Sequence, residues 1–383
     1  MLVCGACCLL VARSKLIEFM DNRETFFITG FPGFIANRLI ERLARSPAKF
    51  ILLVQPALLS RAKDEIADIA SSSGRSIADF SLVEGDISLP GLGLSETDRE
   101  LVSSETTRVF HLAAIYDLGV VRELAMKINV EGTRNLNQLI RSLPHLRHFH
   151  HVSTCYVAGK REGRILETEL RHEAGFRNFY EESKYLAELE VEALKTDFPV
   201  TIHRPSVVCG DSQTGETVKY DGVYYLIFYL LLWPTGLSKL NIGNHEVCLN
   251  LVPVDYAVDA MTTLAFDDKA IGKTVQLADP RPLTTHQLFN AIAKSINGGR
   301  SRVTVPPSWV QFFLMLPPSP KITGLPHHGV PYFFVKQTYD TTTSHELLEA
   351  HGVHCPPFEN YVDKIVGFAR QNPITPDGSV PKS

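Results

Sequence analysis

The sequence lacks an excess of basic residues, because 38 lysines and arginines stand against 42 aspartates and glutamates, for a net charge of −4. A protein that binds nucleic acid needs positive charge to neutralise phosphates, so we expect no nucleic-acid partner. The chain is also poor in cysteine, with seven among 383 residues and no spacing typical of a disulfide framework. We therefore expect reduced thiols and a cytoplasmic protein.

A hydrophobic run long enough to cross a membrane is missing as well. The most apolar segment, 223–237, is interrupted by Pro234 and falls short of the about 20 residues that a bilayer requires. The first 22 residues lack the basic start and cleavage site of a secretory signal, so we expect a loosely ordered extension over 1–22. We predict no transmembrane segment, and peripheral contact with a membrane stays open.

From Thr25 onward, short apolar runs alternate with amphipathic segments. The pattern predicts strands at 25–30, 50–55, 80–86, 108–114, 148–154 and 200–208, and helices at 34–45, 58–70, 128–143 and 180–194. Helices that lie between successive strands supply the crossover connections that parallel pairing needs. The sequence therefore predicts an α/β fold, a Rossmann-type doubly wound parallel sheet with a smaller, mixed C-terminal substrate lobe.

The pattern changes after Pro205, where segments rich in proline and aromatic residues indicate long loops. Strand and helix patterns return near residue 250. We predict a dinucleotide-binding domain over 23–210 that the chain re-enters at about 250–280, a substrate-binding lobe over 211–249 and 281–372, and a disordered tail over 373–383.

Residues 26–36, FFITGFPGFIA, have the pattern of a dinucleotide-binding turn. Gly30 would let the chain leave the strand sharply, Gly33 would let the backbone approach a pyrophosphate, and Ala36 is small enough for helix–strand packing. The following helix would direct its free N–H groups at the phosphates. Taken alone, the same residues also fit an ordinary turn between a strand and a helix.

Tyr180 and Lys184 are four residues apart in a predicted helix, which puts both on one face. An ammonium beside a phenol favours the phenolate, and lowering the pKa of a tyrosine by about 3 corresponds to about 4 kcal/mol. The same spacing also occurs in exposed pairs on amphipathic helices. Ser153 or Thr154, at the carboxyl end of a predicted strand, can present a hydroxyl to the same cleft.

The histidines of that strand do not predict a metal site. His148 and His150 would share a face, but no carboxylate or cysteine at ligand spacing accompanies them or His151. We interpret these side chains as satisfied or partly exposed. The cysteines near the N-terminus also lack a second pair of ligands downstream, so we predict no bound metal.

Seven short motifs occur in a fixed order along the chain: TGFPGFIA (29–36), GDI (85–87), HLAA (111–114), NVEGT (129–133), HVST (151–154), YEESK (180–184) and HRP (203–205). In these motifs the sequence resembles the extended short-chain dehydrogenase/reductase superfamily over residues 25 to about 265. The resemblance favours the nucleotide-binding interpretation of the first glycine turn.

The resemblance implies a catalytic set of Thr154, Tyr180 and Lys184, in which Tyr180 donates a proton and Lys184 also holds the nicotinamide ribose. It further implies that Asp86 binds the adenine amino group. The predicted cofactor-binding residues are Thr29, Gly30, Phe31, Pro32, Gly33, Phe34, Ile35, Gln55, Arg61, Asp86, Ile87, Ala113, Ala114, Asn129, Ser153, Tyr180, Lys184, Pro205, Ser206 and Val207. Among these, Asn129 is expected to support the active-site helix.

The residues at the end of the second predicted strand bear on whether the cofactor is NAD or NADP. NAD enzymes usually place an acidic residue there to bind the ribose 2′-hydroxyl, whereas this chain has Gln55 followed by Pro56. The arginine directly after the strand that is common in NADP-using relatives is also absent, but Arg61 and Lys63 follow closely. We therefore favour NADPH, with NADH left open.

Within the superfamily, the sequence resembles most the fatty acyl-CoA reductase and thioester reductase-domain branch. The segments that carry this resemblance are 110–118, 129–136, 149–159, 203–216, 221–231 and 250–260. The branch implies NAD(P)H-dependent reduction of an acyl thioester, carried on CoA or on a carrier protein, to an aldehyde. Further reduction to an alcohol, the acyl chain length and the oligomeric state are not predicted.

The alternative function is an NAD(P)-dependent epimerase, dehydratase or 3β-hydroxysteroid-type dehydrogenase that acts on an alcohol or ketone. A nucleotide-sugar enzyme would need polar and basic side chains for a diphosphate, whereas 223–237 is apolar. This segment and 308–318 either form the wall of a channel for an acyl chain or pack as the hydrophobic core of the C-terminal lobe. A nucleotide-binding member of the fold without catalysis is a third interpretation, which the intact Thr154, Tyr180 and Lys184 disfavour.

Overall fold

The structure is a computed structural model, and it describes residues 24–232, 240–320, 325 and 327–373. The predicted N-terminal extension over 1–22 lies outside the described residues, and so does all but Pro373 of the predicted tail. None of the helices in the described part of the chain is both long and apolar enough to cross a membrane.

The strands, in chain order, are β1 Glu24–Thr29, β2 Ala48–Val54, β3 Phe80–Glu84, β4 Arg108–His111, β5 His148–Val152, β6 Gly163–Ile165, β7 Val200–Pro205, β8 Val207–Cys209, β9 Leu240–Asn241, β10 Leu251–Pro253, β11 Thr274–Leu277, β12 Val303–Thr304 and β13 Gln337–Tyr339. Seven of them form a central sheet in the order β3-β2-β1-β4-β5-β7-β11, and every pairing in it is parallel. The short strands pair as β8 with β10, β9 with β12, and β6 with β13.

The α-helices are Phe34–Leu43, Leu59–Ser73, Glu96–Glu105, Arg122–Ala125, Gly132–Ile140, Phe179–Glu192, Val223–Leu232, Val254–Ala265, Thr285–Asn297, Pro307–Met315, Thr342–Glu349 and Val362–Gln371, and a π-helical segment, Met126–Glu131, joins two of them. Helices connect the strands of the central sheet, as parallel pairing requires. The predicted α/β class and doubly wound sheet are confirmed.

The central strands are apolar on both faces because helices cover both sides of the sheet. Phe26 and Ile28 of β1 point into one hydrophobic cluster, and Phe27 points into the other. This alternation follows from the two-residue period of a strand. Neighbouring rings extend the first cluster, since the centroids of Phe26 and Phe50 are 5.8 Å apart.

A further apolar cluster gathers side chains from the C-terminal part of the chain. Tyr224, Ile227 and Leu230 of the helix Val223–Leu232 pack there with Phe289 and Ile365. The chain returns to the central sheet at β11, which pairs with β7. The division into a dinucleotide-binding domain and a substrate-binding lobe with the predicted boundaries stays a prediction.

Candidate active site

A cleft of about 680 Å³ opens at the carboxyl ends of the central strands. The strand order reverses between β1 and β4, and ligands of doubly wound sheets bind at such a point. Of the predicted site residues, Gly30, Phe31, Pro32, Gly33, Phe34, Ile35, Gln55, Arg61, Asp86, Ile87, Ala113, Ala114, Ser153, Thr154, Tyr180, Lys184, Pro205, Ser206 and Val207 line this cleft. The fold therefore brings together residues that are up to 177 positions apart in sequence.

The turn after β1 packs closely against the protein backbone only because two of its residues have no side chain. Gly30 has a φ of +91°, and a Cβ there would lie 2.7 Å from the amide nitrogen of Ala113. A Cβ on Gly33 would lie 2.6 Å from the carbonyl oxygen of Gly30. The helix Phe34–Leu43 begins at once, so its free N–H groups face the cleft. This turn fits the pyrophosphate of a dinucleotide.

Thr29 and Asn129, both predicted to bind cofactor, do not line the cleft. Thr29 is buried at the end of β1, where its hydroxyl bonds His111 at 2.8 Å and accepts from the amide of Ala113 at 3.2 Å. Asn129 accepts from the amide of Ile115 at 2.9 Å, and its Nδ2 donates to Ser183 at 2.9 Å. Both side chains point into the packing behind the cleft wall, because the polar groups they satisfy lie there.

At the end of the cleft beside β2 and β3, Gln55 and Asp86 are hydrogen-bonded. Nε2 of Gln55 donates to Oδ2 of Asp86 at 2.9 Å, and the amide of Ser88 donates to Oδ1 at 2.8 Å. Burial raises the pKa of Asp86, but these hydrogen bonds outweigh it and the net pKa is lowered. Asp86 is therefore an ionised acceptor at neutral pH.

Arg61 lines the same end of the cleft but is already paired. Its Nε donates to Oε1 of Glu65 at 2.5 Å, one helical turn further along. Asn37 donates to the other carboxylate oxygen of Glu65. Lys63 is exposed and does not line the cleft. The positive charge that faces the cleft here is thus that of Arg61, partly neutralised by Glu65.

Tyr180 and Thr154 both line the cleft and are almost fully buried, and they are close enough for Thr154 to lower the pKa of the Tyr180 phenol against the effect of burial. Tyr180 stands on the helix Phe179–Glu192, whose N-terminus is capped by Asn178. Thr154 follows β5, which ends at Val152 rather than at residue 154 as predicted. The chain leaves the sheet at Ser153, and the hydroxyl groups of Ser153 and Thr154 therefore reach the cleft.

The expectation that Lys184 lowers the pKa of Tyr180 is wrong. Burial raises the pKa of Tyr180, the nearby Thr154 offsets this only in part, and Glu181 and Asp221 raise it further. Nζ of Lys184 donates to the carbonyl oxygen of Val152 at 2.8 Å. Burial also lowers the pKa of Lys184 to about 8, although Glu188 opposes this. Tyr180 therefore holds its proton at neutral pH, as a proton donor must.

Sequence reasoning missed a buried ion pair next to Lys184. Glu188 is fully buried, and Nε of Arg204 donates to its Oε1 at 2.8 Å. Ser153 donates to the other oxygen of Glu188. The spacing gave a signal, since Tyr180, Lys184 and Glu188 recur every four residues and therefore share one face of the helix. The pair links the cleft hydroxyl of Ser153 to the helix that carries Tyr180.

Three further residues without a predicted role line the cleft beside Tyr180. The rings of Tyr116 and Tyr180 meet edge to face, with centroids 5.2 Å apart. Burial and the nearby Asp221 raise the pKa of Tyr116, and Nζ of Lys219 lies 4.7 Å from the centroid of the Tyr116 ring. Burial raises the pKa of Asp221, while Lys219 and Tyr116 oppose this. Tyr116 and Asp221 lie in the segments 110–118 and 221–231 that carry the family resemblance, but their spacing does not predict that they meet.

The histidines of β5 are fully buried in the sheet, and none is partly exposed. Nε2 of His148 bonds Thr201 at 2.7 Å, and Nδ1 of His150 bonds His203 at 3.1 Å. Burial lowers the pKa of His148 to about 4 and also lowers that of His150 and His151. Across the described ranges, no group of three or more histidine, cysteine or acidic side chains is arranged to hold a metal ion.

A model of an NAD-binding family, described as "Male sterility protein", matches residues 28–261. The chain belongs to this family. The match starts within β1 and extends into the helix Val254–Ala265, so it includes the glycine turn, Thr154, Tyr180 and Lys184. It confirms the resemblance to the acyl-CoA reductase branch of extended short-chain dehydrogenases/reductases.

Two curated relatives are similar over most of this chain. "Fatty acyl-CoA reductase wat" of Drosophila melanogaster is 26% identical over 277 residues, which cover 63% of this chain and 54% of the relative. "Fatty acyl-CoA reductase 2, chloroplastic" of Arabidopsis thaliana is 26% identical over 338 residues, which cover 70% and 54%. The chain thus spans about half the length of these relatives.

Among solved structures, the terminal R domain of the myxalamid PKS-NRPS biosynthetic pathway is similar in fold. It superposes with a TM-score of 0.76 at 24% identity, and the match covers 91% of each chain. This likeness extends through the C-terminal part, beyond the segment that the family model matches.

Proposed function

We propose that this chain is an NADPH-dependent reductase that converts an acyl thioester to an aldehyde. The side chains of Thr154 and Tyr180, which lie close together in a cleft built on a glycine turn, are the observation that carries the proposal. We further propose that Thr154, Tyr180 and Lys184 form the catalytic set.

The cleft suits a nicotinamide dinucleotide, which would supply the hydride. Gly30 and Gly33 let the turn pack tightly against the backbone of Ala113 and of Gly30, the start of the helix Phe34–Leu43 offers free N–H groups to a pyrophosphate, and the ionised Asp86 can accept from an adenine amino group. Lys184 would donate to the nicotinamide ribose. Thr29 and Asn129 contribute by holding the cleft wall.

Thr154 and Tyr180 would hold the thioester carbonyl oxygen by two hydrogen bonds. When hydride adds to the carbonyl carbon, negative charge develops on that oxygen, and preorganised donors stabilise it. Tyr180 then donates its proton and forms a hemithioacetal. Collapse breaks the carbon–sulfur bond, the hydroxyl proton returns to Tyr180, and the departing thiolate takes a proton from water. The net reaction uses one hydride and one proton for each aldehyde and thiol formed.

The preference for NADPH is supported by Arg61, the cation that lines the cleft beyond β2, and by Gln55 at the end of this strand. A 2′-phosphate would compete with Glu65 for the guanidinium. An acidic residue, which would favour the free 2′-hydroxyl of NADH, does not stand at this strand end.

The acyl thioester substrate is supported by the names of the relatives, which are reductases of fatty acyl-CoA, and by the R domain of a PKS-NRPS pathway. We propose that the C-terminal lobe binds the acyl part, carried on CoA or on a carrier protein. We also propose a cytoplasmic enzyme, because Cys155, Cys209, Cys248 and Cys355 are free thiols.

The test is to incubate the purified chain with NADPH and a series of acyl-CoA thioesters. We expect loss of NADPH absorbance together with release of free thiol, and an aldehyde identified by mass spectrometry. A ratio of one NADPH per thiol indicates aldehyde as the end product, and a ratio of two indicates alcohol. Tyr180→Phe serves as the control. Absence of both NADPH oxidation and thiol release across the series would overturn the proposal.

The alternative reaction on an alcohol or ketone is tested in the same assay. On the lobe side, the cleft is lined by Thr217, Val218, Lys219 and Asp221, and the amino group of Lys219 lies over the ring of Tyr116. A nucleotide-sugar diphosphate would have to displace this contact. Turnover of a sterol or nucleotide sugar, with no turnover of any acyl thioester, would favour the alternative.

A further inference from the structure

The helix Pro307–Met315 is apolar around its whole circumference but buried on one side only. Its sequence, PSWVQFFLM, has a single amide and a single hydroxyl, and Val310 and Leu314 are its buried side chains. Trp309 is 72% exposed, Phe312 69% and Met315 56%, and Phe313 is exposed as well. A helix of this composition is normally buried in a core or in contact with a membrane.

The buried side of this helix is firmly attached to the lobe. Val310 and Leu314 pack with Leu325 and Val330, and Ile242 and Val305 pack against this cluster. Ile242 follows β9 and Val305 follows β12, the two strands that pair beside the helix. The exposed aromatic side chains therefore project from a packed unit.

The same two strands extend the exposed apolar surface. Val303 and Leu240 are partners in the register of β12 and β9, and Val303 is 56% exposed. Partners in a ladder point to the same face of a sheet, so these two side chains lie side by side. We call Leu240, Val303, Trp309, Phe312, Phe313 and Met315 the apolar face.

The charged residues in the segment around the apolar face are all basic. Residues 280–339 contain no aspartate or glutamate and six lysines and arginines, in a chain whose net charge is −4. Lys294, Arg300 and Arg302 of this segment are exposed and lie just before the apolar face in sequence. Lys336 differs, because it pairs with Glu246.

We propose that the apolar face docks on the surface of an anionic lipid bilayer, with the helix Pro307–Met315 in the interface plane and the arginines at the headgroups. Exposed tryptophan and phenylalanine side chains bind at the boundary between headgroups and acyl chains, and tryptophan prefers the headgroup level. Basic residues next to a membrane are attracted by anionic lipids. The proposal does not depend on the reductase activity.

The charge distribution favours an anionic bilayer over a second copy of the chain as the partner of the apolar face. A symmetric contact through the apolar face would bring the positive segments of two copies together, which costs energy. A bilayer with anionic headgroups satisfies both the apolar side chains and the arginines.

The buried side of the same helix links the proposed membrane contact to the lobe interior. Val310 and Leu314 line a small apolar cavity with Tyr225, Tyr229 and Phe289. If the proposed function holds, a substrate with an acyl chain that partitions into membranes would reach the lobe at the membrane surface.

The test is binding of the full chain to vesicles, either of neutral phosphatidylcholine or with about one third phosphatidylserine, at low and high salt. The chain has two tryptophans, so a Trp233→Phe background assigns the fluorescence to Trp309. We expect co-sedimentation with the anionic vesicles, a blue shift of the Trp309 emission, and weaker binding at high salt.

Two variants separate the apolar and the electrostatic contributions. Trp309→Ser with Phe312→Ser should weaken binding to anionic vesicles by about tenfold or more. Arg300→Gln with Arg302→Gln should weaken it by about fivefold per arginine, and should leave binding to neutral vesicles unchanged. The matched controls are Ile77→Ser, which removes an apolar side chain that is 63% exposed, and Lys269→Gln with Lys273→Gln, which removes two exposed charges elsewhere. All variants are checked for an unchanged thermal unfolding midpoint.

Equal binding of the Trp309/Phe312 variant and the intact chain would overturn the proposal, and so would no partition into anionic vesicles at low salt. A dimer that the serine variant abolishes, together with no vesicle binding, would assign the face to a second copy. Equal binding to neutral and anionic vesicles would remove the role given to the arginines.

Discussion

Tyr180 and Thr154 come together in the cleft, close enough for Thr154 to lower the pKa of the Tyr180 phenol, although one belongs to a helix and the other to the loop after β5. In this arrangement the two hydroxyl groups can share a single substrate oxygen. Burial keeps the proton on Tyr180, because it raises the pKa of the phenol more than Thr154 lowers it.

Replacing Tyr180 by phenylalanine should lower kcat by about 10²- to 10⁴-fold, because the proton donor is lost while the ring is kept. Tyr116→Phe is the matched control, since its ring lies edge-on to that of Tyr180 and it loses the same hydroxyl group. We expect the control to stay within about tenfold of the unchanged chain. Steady-state kinetics and cofactor titration by fluorescence measure both. A Tyr180→Phe variant with nearly full kcat would exclude Tyr180 as the donor.

The activity should fall as pH rises through the pKa of Lys184, which burial lowers to about 8. The protonated amine is the form that donates to the ribose, so kcat/KM has an alkaline limb set by this group in the free enzyme. Glu188 raises the pKa of Lys184, and Glu188→Gln should therefore move the limb to lower pH.

Glu190→Gln on the same helix is the control for this pH experiment, because it removes an exposed partner of Arg134. Since Glu188→Gln also leaves Arg204 buried without its counter-charge, a loss of about 3 to 5 kcal/mol in stability is expected beside the shifted limb. The double variant Glu188→Gln with Arg204→Met restores part of that stability. An alkaline limb that stays in place in the Glu188→Gln single variant would contradict the assignment to Lys184.

Gly30→Ala should abolish measurable cofactor binding, because its Cβ would lie 2.7 Å from the backbone of Ala113 and the residue has a φ of +91°. Gly74→Ala is the control, because it introduces backbone strain without a steric clash. Gly74 has a φ of +67°, but no atom lies within 4 Å of the position that its Cβ would take. The control should lose about 1 to 2 kcal/mol of stability and keep its cofactor affinity. Isothermal titration with NADPH compares the two. Equal affinities would mean that the turn does not contact the cofactor.

The preference for NADPH over NADH should depend on the pair of Arg61 and Glu65. Arg61→Gln should weaken NADPH binding by about tenfold and leave NADH unaffected, because only the 2′-phosphate needs the guanidinium. Glu65→Gln should act in the opposite direction, since it frees Arg61 while the amide oxygen can still accept from Asn37. The ratio of the two dissociation constants is the measurement. If neither substitution changes that ratio, the proposed 2′-phosphate site is wrong.

Local patterns in the sequence were sufficient to predict six of the seven strands of the central sheet, all except β11. The buried runs around Phe26 and Phe50 alternate with amphipathic helices, and this periodicity depends only on neighbours along the chain. Strand ends were less predictable. The predicted strand over 108–114 stops at His111, since the next residues leave the sheet to form the cleft wall beside Gly30.

Contacts between distant segments could not be predicted from one sequence. The sequence predicts Glu188 only as an acidic residue on a helix. Its partner Arg204 lies on β7, in another part of the chain. Similarly, Asp221 and Tyr116 lie in separate segments of the chain, and no spacing predicts that they meet in the cleft. Thr29 and Asn129 were in motif positions, but the polar groups that they satisfy lie behind the cleft wall.

By itself, the sequence determined the α/β class, the family, and the positions of the glycine turn and of the helix that carries Tyr180 and Lys184. These follow from short spacings, which set backbone conformation and helix faces directly. Only the tertiary structure decided the protonation of Tyr180, because the pKa of a phenol depends on burial and on charges brought together from across the chain. It also decided that aromatic side chains of the helix Pro307–Met315 remain exposed, since a helix that is apolar all round does not reveal which side the fold will cover.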